Sequence, residues 1–197
     1  MTQTAALPGF HSPSAGFDQP HDMLRACHER VQRSLDLLAR LVAHIDTEGH
    51  DDSSRAAARD VLRYFQLAAP LHHQDEELHL FPAILRQGDP ALQVAVQRLQ
   101  QDHQRMELLW SEVRVVLQGW QSSQAQGTAE PAQRAAIEAF CALYPAHIEL
   151  EESLVFPAAF GLLGPQAAAA AGQEMQARRR APVPNTPAQT PGKPQPH

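Results

Sequence analysis

Cysteine is scarce: the chain has only Cys27 and Cys141 among its 197 residues. They form no CxxC pair and no regular framework, which excludes a disulfide scaffold, and they read as small, reduced, half-buried core residues. Basic charge is not in excess either. The formal charge is −6 with a pI near 6.0, and the one arginine cluster, Arg178 to Arg180, is short and near the end, so nothing supplies an electrostatic footprint for nucleic acid. The first residues, "MTQTAALPGFHSPSAGF", lack a basic start and a long apolar run, and no later stretch reaches the ~20 apolar residues of a membrane span. A soluble cytoplasmic protein without nucleic-acid or membrane partners is expected. No alternating strand pattern or hairpin signal occurs, which leaves an all-α fold. Hydrophobic residues at 43% suffice for one well-buried core plus tails, although aromatics make up only 6%.

Punctuation sets the organisation. Residues 1–17, rich in Pro, Ser, Gly and Ala, and the Pro-rich stretch "RRRAPVPNTPAQTPGKPQPH" bury too little apolar surface to order themselves. The folded domain is expected over 18–160, followed over 161–197 by an Ala-rich and then Pro-rich, mostly disordered tail. Asp18 before Pro20 and Asp89 before Pro90 mark helix starts, while "TEGHDDS", "QGD" and "GWQSSQAQGTAEP" interrupt the apolar pattern. Four helices follow, at about 18–47, 53–87, 90–119 and 130–160, with a short fifth one over the Ala167 to Ala171 run.

Residues 70–82 read "PLHHQDEELHLFP" and residues 145–157 read "PAHIELEESLVFP", an ungapped repeat displaced by 75 positions. A His and a Glu four apart share one helix face. In the third helix Leu92, Val96, Leu99, His103, Met106, Trp110, Val113 and Leu117 form an unbroken stripe with His103 inside it. His28 interrupts the first stripe, His72 and Glu76 the second, His147 and Glu151 the fourth. All six polar intruders obey the same displacement of 75. The chain therefore repeats a helical hairpin, the first over 18–87 and the second over 90–160, joined by a turn at Gly88.

Two hairpins with short connections make an up-down-up-down four-helix bundle. At ~1.5 Å rise per residue, His103 and Glu76 lie roughly 20 and 16 Å from one end, and His28 and Glu151 roughly 12 to 15 Å. The intruders thus meet in one layer. An unpaired carboxylate there costs several kcal/mol, so each buried Glu requires a cationic partner, a proton or a metal. Four imidazoles and two carboxylates exceed the needs of one tetrahedral zinc, lack the sulfur that copper(I) prefers, and suit two metal ions, naturally iron.

The doubled "HxxxEExxxFP", with one His on each of the first and third helices, resembles the hemerythrin-like, or HHE cation-binding, family over residues 18–160. The resemblance implies a non-heme di-iron centre in a four-helix bundle, with two oxo- or hydroxo-bridged iron ions held by His28, His72, Glu76, His103, His147 and Glu151, the two glutamates bridging. Oxygen-carrying members have a second His one turn after the third-helix His, and here that position is Glu107. Glu107 is expected to complete one iron as a carboxylate, with a hydrogen bond to a ligand or to metal-bound water as the alternative. That departure shifts the implied function from oxygen carriage toward binding or sensing O2, NO or peroxide, or handling iron. A catalase-like or oxidase enzyme and a purely structural metal-binding interaction module are the alternatives. A ferritin-like site is the structural runner-up, but its Glu-x-x-His spacing is not present in both halves.

The remaining signals have plainer readings. His73 points about 100° away from His72 and is expected in an outer shell or at the surface. His79 falls in the seam by register, but its repeat counterpart is Leu154, so packing is the better reading. Glu77 and Glu152, beside the ligands, either orient an imidazole N–H or are exposed charge. Pro82 and Pro157 should kink or end their helices. Leu24, Val31, Leu99, Met106, Ala69 and Tyr144 wall the site; Tyr144 either packs or hydrogen-bonds a metal-bound oxygen species, and Ala69 opposite it leaves room for a diatomic ligand or peroxide.

Overall fold

A computed structural model describes residues 16–87 and 89–180; the expected terminal tails up to residue 15 and beyond 180, and the turn residue Gly88, lie outside them. Helix α1 is Pro20–Glu48, with Pro20 at its first turn, where a missing N–H costs nothing. Helix α2 runs over 52–87 and starts at a capping box, in which Asp51 accepts from the Ser54 amide and Ser54 from the Asp51 amide. Helix α3 is Pro90–Trp120, capped by Asp89. Helix α4 begins at Pro131 and, after a one-residue interruption at Leu143, continues to Gly164. No strand occurs among the described residues. The four rods pack in a ring, each against the next and α4 against α1, which is the all-α up-and-down bundle expected.

The helices are less regular than the stripes suggest. Three turns are widened to π geometry, at Tyr64–Ala68, Glu76–Leu80 and Glu151–Val155, and each is followed two residues later by a proline: Pro70, Pro82, Pro157. A proline ring collides with the carbonyl four residues back in an α-helix, and opening the turn by one residue relieves it. Pro82 and Pro157 therefore widen their helices and do not end them: α2 continues to Gln87, its expected boundary, and α4 to Gly164, a few residues past its own. The extra residue also slips the stripe. Leu154, expected in the seam, is 40% exposed, while Val155, Phe156 and Ala159 are buried in its place; His79 is likewise moved aside in favour of Leu80 and Phe81.

The chain also stays helical further than expected. The Phe156–Arg180 segment is broken only at Gly164, whose φ of 70° is a conformation that favours glycine. The part beyond it, α5 (165–180), is a long helix where a short one over 167–171 and then disorder were expected. It closes one end of the bundle: Ala171 and Met175 are buried, and Gly172 passes so near the Phe17 carbonyl that an added Cβ would lie 1.9 Å from it. An ion network ties α5 to α2. Fully buried Asp75 holds Arg178 at 3.1 Å and Arg179 at 2.6 Å, and His79 meets Glu174 at 2.6 Å. The helical stretch Pro131–Arg180 contains an 18-residue window of mean hydropathy 1.5, so by length and apolarity it reaches what a membrane span needs, against the sequence expectation. Only 22% of that window is buried, while the rod containing it carries His147 and Glu151 into the bundle core.

The core itself is in two parts. One apolar cluster surrounds Ile45, Leu62, Leu117 and Phe140, and another surrounds Leu24, Phe81, Leu99 and Phe156. Between them lies a polar layer.

Candidate metal centre

That layer is made by His28 of α1, His72 and Glu76 of α2, His103 of α3, and His147 and Glu151 of α4, every one of them buried. Glu76 lies 3.2 Å from His72 on its own helix and 3.4 Å from His103. Glu151 repeats the pattern, 3.0 Å from His147 on its own helix and 3.1 Å from His28. Each carboxylate thus faces its own helix's imidazole and one from the other hairpin. The sequence displacement has become an approximate two-fold relation in space.

The same relation decides what Glu77 and Glu152 do. His28 Nδ1 donates to Glu152 at 2.8 Å, and His103 Nδ1 donates to Glu77 at 3.0 Å. Gln100 donates in turn to the other Glu77 oxygen at 2.9 Å. A carboxylate can only accept, so the Nδ1 proton is fixed outward and Nε2 turns toward the centre of the layer. Both glutamates orient an imidazole, the first of the two readings the sequence left open.

Donor atoms facing inward make no hydrogen bonds. Nε2 of His28 and of His103, and all four carboxylate oxygens of Glu76 and Glu151, are buried without a hydrogen bond among the described residues. Electrostatics shows the strain. Burial, then the neighbouring Glu151 charge, pushes Glu76 up to about 7. Burial works against the Glu151 charge as well, but His147, His103 and His28 outweigh it and hold this carboxyl well below its usual range. Burial also opposes charging of His103, yet Glu151, Glu76 and Glu77 together raise it to about 11, and Glu151 leads the groups that raise His28. Burial, then the charge on His28, keeps His72 well below normal and neutral. Two carboxylates and several imidazoles with open lone pairs in a dry layer fit bound cations, which neutralise the carboxylates and occupy the nitrogens at once.

The donors fall into two groups. His28, His72, Glu76 and Glu151 bring one donor atom each within 4.8 Å of one another, and His73, His103 and His147 do the same. His73 is the residue that sequence reasoning missed. Its ring stacks on His103 with centroids 4.0 Å apart, and burial, then His103, holds it neutral. The sequence carried one signal, the adjacent "HH" of the first repeat, but the counterpart Ile148 and the 100° offset argued against it. Glu107 goes the other way. Expected as a ligand, it is exposed on α3 and belongs to neither group; it lines the groove described next.

A groove of about 610 Å3 opens along α2 and α3, with Phe140 and Tyr144 of α4 also lining it and His73 and His103 in its wall. Ala69, the residue expected to leave room beside the site, lines it together with Tyr144. Cys27 and Cys141 are unpaired, and burial raises both thiols to about 11, so they are inert bystanders.

By geometry this is a helical bundle whose buried His and Glu cluster could hold cations. Comparison with known proteins agrees: the model of the hemerythrin HHE cation binding domain matches residues 19–159, and the chain belongs to that family. It is also 32% identical over 166 residues to an uncharacterized protein of Haemophilus influenzae, an alignment that spans 84% of this chain and 93% of the relative. The family match ends before α5.

Proposed function

We propose that the chain is a non-heme di-iron protein that binds or responds to a small diatomic molecule or peroxide in the cytoplasm. In this reading His28 and His72 would hold one iron and His73, His103 and His147 the other, with Glu76 and Glu151 supplying the carboxylate oxygens. The observation that carries it is the set of inward-facing nitrogens and carboxylate oxygens that are buried and unpartnered. Mixed nitrogen and oxygen ligation by imidazole and carboxylate suits iron. When bound, the iron pair supplies redox chemistry and a position for an exogenous ligand.

The protein's own contribution is positional. Glu77 and Glu152 fix the tautomers of His103 and His28. The apolar clusters above and below exclude water from the layer, and the groove at His73 and His103 gives a small ligand its path. His73 supplies the third nitrogen at the position where Glu107 had been expected to act.

The test is iron content and optical spectrum of the full chain produced with iron available. Two irons per chain and a visible absorption that changes on adding oxygen, nitric oxide or peroxide are expected. A folded, colourless chain that retains no iron, or one whose spectrum ignores all three ligands, would overturn the proposal.

A further inference from the structure

The groove along α2 and α3 is out of proportion to a diatomic molecule. A water-sized ligand needs about 30 Å3, whereas the groove measures about 610 Å3, inside the roughly 300–1,000 Å3 range of pockets that hold organic molecules. Its α3 wall extends from Gln100 to Arg114, which at ~1.5 Å per residue is about 21 Å. Aromatic residues are sparse in this chain, yet Phe65, Trp110 and Phe140 gather here with ring centroids 5.1 to 5.6 Å apart.

Two polar groups of the groove lack partners. Tyr144 is 3% exposed and lines the groove, and its hydroxyl makes no hydrogen bond among the described residues. Burial raises this hydroxyl well above its usual range, so it stays protonated. Arg114 is exposed at the far end of the α3 wall and forms no ion pair among the described residues. Glu77, by contrast, is satisfied by His103 and Gln100. Glu107 sits on the same wall seven residues before Arg114, so the wall is negative toward the His103 end and positive at the other. That polarity orients an anion.

We propose that this groove binds an elongated aromatic carboxylate. Its acid group pairs with the Arg114 guanidinium, a match that planar, forked donors favour. Its ring lies against Phe65 and Trp110, and a hydroxyl-type substituent bonds to Tyr144. A carboxylate placed at the Glu107 end would meet like charge, which fixes the direction of binding. None of Arg114, Trp110 and Tyr144 is a proposed iron ligand, so the inference stands apart from the di-iron reading.

The test is calorimetric titration of the full chain as purified with 3-(4-hydroxyphenyl)propionate, with its uncharged amide as comparator. Saturable one-site binding is expected, weaker by roughly tenfold for the amide and for Arg114→Gln, and by roughly fivefold for Tyr144→Phe. Metal per chain, measured on the same samples, reports the di-iron reading separately and is expected to be the same in Arg114→Gln as in the parent. No binding up to about 10 mM, equal binding of acid and amide, or indifference to Arg114→Gln would each overturn the proposal.

Discussion

Replacing Arg178 and Arg179 together by Met would leave the Asp75 carboxylate buried without a cation. In the structure Asp75 is 0% exposed, with Arg178 at 3.1 Å on one oxygen and Arg179 spanning both, at 3.1 and 2.6 Å. Stripping the partners from a buried charge costs about 3–5 kcal/mol. The two guanidinium groups are 16% and 21% exposed, so water reaches the edge of the network and the lower end, about 3 kcal/mol, is the better figure. For a chain of this size that is a fall in Tm of about 6–12 °C, read by thermal circular dichroism at neutral pH. Met keeps most of the aliphatic bulk, so lost packing contributes little. Adding Asp75→Leu to the double variant removes the orphaned charge and is expected to recover most of the loss. A double variant melting within about 1 °C of the parent, or a triple variant no better than the double, would refute the argument.

Glu152→Gln removes the carboxylate that holds the Nδ1 proton of His28; metal affinity is expected to fall about 10- to 100-fold with the fold intact, measured by competition with a chromophoric chelator. His73→Ala is expected to reduce bound iron from two per chain to about one, whereas Glu107→Gln leaves it unchanged; elemental analysis of the two variants distinguishes them. Metal binding releases protons. In the metal-free protein His103, raised to about 11, carries a proton at neutral pH, and Glu76 at about 7 carries part of one. Bound metal displaces these protons, so affinity rises as pH rises through about 7 and on toward about 11. Calorimetry in buffers of different ionisation heat is expected to show about one to two protons released at pH 7, and a count near zero would contradict the assignment.

How far the fold could be read in advance depended on the kind of information involved. The stripe of α3, from Leu92 through His103 to Leu117, has no proline inside it and runs as a regular helix; there the spacing alone placed the buried face. On α4 the same reasoning held up to Glu151 and slipped by one residue afterwards, because periodicity assumes 3.6 residues per turn and the turn before Pro157 is wider; on α2 the stripe survived the widened turn at Tyr64–Ala68, and only His79 gave way, to Leu80 and Phe81. The six repeated His and Glu residues were legible because a repeat doubles the signal. His73 was not, since it has no counterpart in the second hairpin and its contribution depends on stacking against His103. The packing of α5 was hidden for a related reason. Its contacts run from Asp75 to Arg178 and Arg179, about 100 residues apart, and no local pattern records a partner that distant. The groove, too, arises between rods rather than along any one of them.

The crossed pairing of Glu77 with His103 and of Glu152 with His28 has a bearing on biogenesis. Neither helical pair owns a finished set: each lends its orienting acid to the imidazole of the other. A nascent chain that has emerged only as far as its midpoint would carry His28, His72 and Glu76 with neither Glu151 nor the acid that orients His28. Both sets would be complete only once the halves have joined.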